Sequence, residues 1–190
     1  MLPKEEPVTF NLFVEWMYYG TYTLDAAMFT SMSPGVSIDA QAWVLSDTLG
    51  ATEFKNYVMN RLYDQYARTF APRPITTADI EYIFTQSAAD SKLRSLYLDL
   101  LVLHFKDTRR VAGDIAEWDH VMQTHPRVRM CLLTSMRSGK SETKMHPKEA
   151  YMEKREAVAV KSIGAATSAQ VVPAKRDQDG VAVKKDTTDA

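Results

Sequence analysis

The chain has 190 residues, 45% of them hydrophobic, and 23 Lys and Arg balance 24 Asp and Glu. That is enough apolar material for one domain with its own core, together with an extension. The near-neutral charge argues against a nucleic-acid or membrane partner held by electrostatics over the whole chain, and neither partner is expected. Cys131 is the single cysteine, so no internal disulfide forms. No charged-then-apolar leader or long uncharged apolar run marks secretion or membrane insertion. The compartment expected is intracellular, either cytoplasmic or nuclear.

In chain order, a short acidic, proline-bearing lead is followed by Phe10-Asn11-Leu12-Phe13-Val14-Glu15-Trp16-Met17-Tyr18-Tyr19-Gly20. Phe10, Phe13, Val14, Met17 and Tyr18 recur at i, i+3, i+4, i+7 and i+8, which predicts a helix with one broad apolar face, ended by Gly20. Such a face needs a partner surface, and Phe10, Phe13, Trp16 and Met17 are the candidate protein-binding residues. Thr21–Leu24 reads as at most one short strand, and Ser31–Gly35 as a loop. Ala40–Leu49 and Thr52–Tyr66 are expected to form a helical hairpin about Gly50, the second helix turning Phe54, Tyr57, Val58, Leu62 and Tyr66 inward.

Pro72 and Pro74 break the chain, and Thr76-Thr77-Ala78-Asp79 then carries a helix-start signal for a helix reaching about Gln86. Ser91 precedes a helix with Leu93, Leu96, Tyr97, Leu100, Leu101 and His104 on one face. Asp114 precedes another, with Ile115, Trp118 and Val121 or Met122, and Pro126 opens a last one to about Arg137. Trp43 and Trp118 are read as core, whereas residue type alone does not assign Trp16 to core or contact. Beyond Gly139 the only aromatic residue is Tyr151. Residues 140–190 are therefore expected to be mostly disordered, because they bury too little apolar surface to offset the entropy of ordering. Transient helix is expected over His146–Val160.

The chemistry-bearing residues receive plain readings. Arg137-Ser138-Gly139-Lys140-Ser141 is similar to the end of a phosphate-binding loop, but Thr134 stands where its first glycine belongs and a helix precedes it. It reads as a helix running into a linker. His120 and His125 beside Asp114, Glu117 and Asp119 match no zinc spacing and read as a solvated helix face. His104 is expected to cap carbonyls at a helix end, and Cys131, on the apolar helical stripe Val128-x-x-Cys131-Leu132-x-x-x-Met136, to be a buried structural thiol. Lys175-Arg176 and Lys184-Lys185 read as a solvated charged tail. No catalytic, cofactor-binding or metal-binding residue is assigned, no cofactor is expected, and the chain is not read as an enzyme.

Leu2-Pro3-Lys4-Glu5-Glu6-Pro7, followed by Phe10-x-x-Phe13-Val14-Glu15-Trp16-x-Tyr18-x-Gly20, resembles the centre of a BTB/POZ domain of the kind common in filamentous fungi. Ala42-Trp43-Val44-Leu45-Ser46-Asp47-Thr48-Leu49-Gly50 and Phe54–Tyr63 continue the likeness, which covers roughly residues 2 to 66. Ile75–Arg137 is similar to the helical extension of those proteins. The resemblance implies a mainly α, partial BTB/POZ-like domain over 1–70, a helical extension over 71–139 and a disordered tail over 140–190. It further implies a non-enzymatic protein–protein interaction module with partners of unknown identity. Only the second half of the domain is represented, so the standard homodimer, built largely on the first helix, is not expected. The alternatives are a truncated fragment of a larger BTB protein without independent activity, or an adaptor for cullin-3 ubiquitin ligases. Adaptors often carry a hydrophobic-x-Glu element after the Phe-rich helix, and Thr21–Ala40 contains no Glu, so strong cullin-3 binding is not expected.

Overall fold

The computed structural model describes residues 7–24, 35–68, 73–138 and 145–154. Helix α1 spans Pro7–Tyr19. Proline is well placed at a first helical position, where its missing N–H has no partner to lose. Gly20, at φ +69°, ends the helix and donates its N–H to the Trp16 carbonyl at 2.8 Å. The chain then runs as Thr21–Leu24 without pairing, so no strand forms there, and Tyr22 is inserted into the core.

Helix α2, Ile38–Thr48, is capped by the Ser37 hydroxyl, which accepts from the Ala40 N–H, and every residue from Ile38 to Ser46 is buried. A helix surrounded on all sides forms the centre of a helical fold. Helix α3, Thr52–Arg68, packs along α2 and buries Phe54, Val58, Met59, Leu62 and Tyr66.

Helix α4, Thr77–Gln86, starts with a full capping box between Thr76 and Asp79. Helix α5, Lys92–His104, is capped by Ser91, and helix α6, Ile115–Thr124, by a second capping box between Asp114 and Glu117. These are the start signals read from the sequence, each satisfying orphan N–H groups of a first turn. Gly113 lies at φ +118°, and a Cβ there would stand 3.0 Å from both Glu117 Oε2 and Trp118 Nε1. Trp118 donates that N–H to the Ala112 carbonyl at 3.1 Å. Helix α7, Pro126–Ser138, packs on α5 and α6.

The fold is mainly α: among the described residues there are seven α-helices, one 3-10 turn at Lys148–Tyr151, and no strand. A single isolated parallel bridge joins Ile75 to Val111, both buried, through the Ile75 N–H to Arg110 and the Ala112 N–H to Ile75. It ties the entry of α4 to the entry of α6. Buried residues of α1 to α7 form one hydrophobic cluster. The boundary expected at 70/71 therefore falls between helices that share a core.

Several sequence expectations need correction, among them Ile115, placed with Trp118 on the inner face of α6 but exposed. Helix α1 buries Thr9 and Leu12 and half-buries Phe13 and Trp16, whereas Phe10, Met17 and Tyr18 face outward, because aromatic residues on both sides of the helix leave its rotation undetermined by periodicity. Met136, placed on the inner stripe of α7, is exposed, and Val128 and Leu132 carry the packing instead. Tyr151 is buried and Met145–Lys154 lies on the helices, although composition placed it in a disordered tail. Of the helix expected over His146–Val160, the described part, up to Lys154, forms only the 3-10 turn. Residues 155–190 with both basic pairs, Gly139–Ser141, Leu2–Glu6, residues 31–34 and Pro72 lie outside the described residues.

Candidate interaction surface

The inner side of α1 fixes its position. Phe13 and Trp16 stack on each other and meet Phe54 of α3 with ring centroids 5.2 and 5.1 Å away, and Trp16 lies 6.2 Å from Tyr57. Glu15 Oε1 accepts from the Thr23 N–H at 3.1 Å and from its hydroxyl at 3.2 Å, and Thr21 Oγ1 hydrogen-bonds the Tyr57 hydroxyl at 2.8 Å. These bonds hold the chain after Gly20 against the helices, so α1 is clamped along one side and at its end.

The other side is open. Phe10 is 47% exposed, Met17 55%, Tyr18 79% and Tyr19 77%. Phe10, Val14, Met17 and Tyr18 recur at i, i+4, i+7 and i+8, so they form one stripe along the helix. Of the four residues singled out from sequence, Phe10 and Met17 lie on this stripe, whereas Phe13 and Trp16 are the anchors beneath it. A second set, Met130, Leu133 and Met136, is exposed on α7. Sequence reading passed over Met130 and Leu133 and placed Met136 on the inner stripe with Val128, Cys131 and Leu132.

Buried charge in the fold is paired. Tyr22 donates its hydroxyl to Asp39, whose carboxylate also accepts from Arg61 Nε at 3.2 Å, and the Arg61 guanidinium lies 4.3 Å over the Tyr22 ring. Burial, then the Asp39 charge, raises the Tyr22 phenol pKa far above its ordinary value, so it stays a donor. Asp79 is fully buried and accepts from the Ser37 N–H at 2.7 Å, the Thr76 N–H at 2.9 Å and Arg73 at 3.0 Å. Both carboxylates have their acceptor capacity committed to the fold.

The residues considered for metal or acid–base chemistry are dispersed. Asp114 and Glu117 cap α6, and Asp119 accepts from Gln123 at 2.7 Å. His120 is 3.8 Å from Glu81, and the His125 ring packs 5.4 Å from Phe84. Among the described residues no group of three or more His, Cys, Asp or Glu converges as a metal site. Burial lowers the pKa of His104 and His125; Arg110 lowers that of His104 further, whereas at His125 the Glu81 charge opposes the shift and Arg94 adds to it. Cys131 is half-buried, and burial with the charge of Asp99 raises its thiol pKa, which keeps it protonated. A shallow cavity of about 350 Å³ lies between α3 and α5, lined by Tyr63, Tyr66, Leu103, His104 and Arg110. Among the described residues no helix is long and apolar enough to cross a membrane. No protein-family model, curated protein or solved structure matches the chain.

Proposed function

We propose that the chain is a non-enzymatic protein–protein interaction module, resembling the second half of a BTB/POZ domain, that engages its partner through the outward stripe of α1. The observation that carries this reading is the division of that helix. Leu12, Phe13 and Trp16 lock it onto the core, while Phe10, Met17 and Tyr18 remain uncovered. Large apolar side chains gathered on one face of a rigid helix mark interaction sites, and aromatic residues supply most of the energy at such sites. A rigid amphipathic helix meets a partner by laying this stripe into a complementary apolar groove or against a second helix.

The test is site-specific photo-crosslinking in cells, with a crosslinking amino acid replacing Tyr18 in the full chain and, as a control, Arg129 on α7. A discrete adduct formed at position 18, absent at 129, and abolished by Met17→Glu with the fold intact by circular dichroism, is the expected result. Equal labelling at both positions, or an adduct indifferent to Met17→Glu, would remove the surface from consideration.

A further inference from the structure

The segment Met145–Lys154 is held on α3 and α5 in the manner of a bound peptide. Tyr151 is its anchor: the ring is buried 5.9 Å from that of Tyr63, and its hydroxyl donates to Asp99 of α5 at 2.5 Å. Asn56 of α3 reads the main chain on both edges, accepting from the Glu153 N–H at 2.8 Å and donating to the Glu153 carbonyl at 3.0 Å. The Tyr63 hydroxyl donates to the His146 carbonyl at 3.3 Å.

Charge is matched along its length. Lys148 pairs with Asp64 at 3.5 Å and Glu153 with Lys55 at 3.0 Å, and His146 Nδ1 hydrogen-bonds Asp99 at 2.8 Å. The segment's only regular structure is the four-residue 3-10 turn, too short to be stable by itself. Its conformation is therefore imposed by the helices beneath, which carry their own buried residues: Val58, Met59 and Leu62 on α3, and Leu93, Leu96 and Leu100 on α5. One aromatic anchor, a side-chain clamp on the backbone and flanking charge pairs are the elements by which domains recognise extended peptides.

We propose that the α3–α5 groove is a peptide-recognition site. The chain's own residues 145–154 occupy it as a resident ligand, exchangeable for a partner segment that carries a tyrosine, a basic residue three positions before it and an acidic residue two positions after. The own segment has the advantage of tethering, which acts as a high local concentration. A partner segment displaces it where its affinity or abundance overcomes that advantage. This site is separate from the α1 stripe and does not depend on how that stripe is used.

The test cuts the tether in the otherwise complete chain. A specific protease sequence is inserted between Gly139 and Lys140, the chain is cleaved, and the retention of the C-terminal piece is followed by gel filtration. The cleaved piece is expected to stay bound and to be displaced by a synthetic peptide of residues 145–154. The same peptide with Tyr151→Ala should need at least about thirtyfold more to do so, as for loss of a hot-spot anchor. The helical part should keep its circular dichroism as the piece leaves. Loss of that signal would overturn the proposal by making the segment part of the core, and so would failure of the wild-type peptide to compete. A dimer of the uncut chain that the peptide dissolves would overturn it in favour of exchange between two copies.

Discussion

At Asp79 a carboxylate sits without solvent and accepts hydrogen bonds from three directions: the loop before α2, the N-cap of its own helix, and Arg73. Ionised groups are tolerated in such a place only when fully paired, and removing one partner leaves the others stranded. Asp79→Ala is therefore expected to cost about 3–5 kcal/mol, read as a lowered urea midpoint. The histidines give a pH test. His104 and His125 are both held below the ordinary imidazole value of 6.5, mainly by burial. Below that pH the unfolded chain binds more protons than the folded one, so stability is full above about pH 6.5 and declines as pH falls through the folded values. The urea midpoint should drop between pH 7.5 and pH 5.5, and the double variant His104→Gln, His125→Gln should flatten the drop. The cap half of the Asp79 role is visible in Thr76-x-x-Asp79. Its bond to the Ser37 N–H, 42 positions away, has no local signature and emerges only when the helices pack.

The helices differ in how fully their sequences specify them. Ser91, Asp114 and Thr76 announce starts because a side-chain oxygen at the N-cap satisfies N–H groups locally, and that interaction needs no tertiary context. The rotation of α1 does need it. With Phe10, Phe13, Trp16, Met17 and two tyrosines spread around the cylinder, several faces are apolar enough to pack, and the choice is made by Phe54 and Tyr57 on α3. Leu12, left out of the sequence-derived face, is fully buried. Leu12→Ala should cost about 2–5 kcal/mol as a cavity in the core. Met17→Ala, on the open stripe, should stay within about 0.5 kcal/mol by the same measurement. A larger cost at Met17 than at Leu12 would mean that α1 is turned the other way. The strap at Met145–Lys154 was hidden for a different reason. Composition averages over a polar stretch, whereas one buried tyrosine and a backbone clamp suffice to dock it.

For the molecule as a whole, the question is whether the helices up to Arg68 and those from Thr77 onward respond as one body. Their buried side chains belong to one cluster, and Tyr66 of α3 meets Tyr97 of α5 edge-on at 5.9 Å. Asp79 bridges to Ser37, and Arg110 reaches the Tyr66 carbonyl at 3.4 Å. Unfolding either group alone would expose the inner faces of the other and strand Asp79 without its partners. The intermediate with only one group folded should thus lie high in free energy, and a domain of this size is expected to unfold in a single step. Trp43 in α2 and Trp118 in α6 are buried reporters on the two sides. With 5-fluorotryptophan incorporated in the full chain, their folded-state fluorine resonances should lose intensity at the same urea midpoint. Two separated midpoints would show that the boundary near residue 70 divides the chain in energy as well as in sequence, and the α2–α4 contact through Asp79 would then be a docking interface between independent parts.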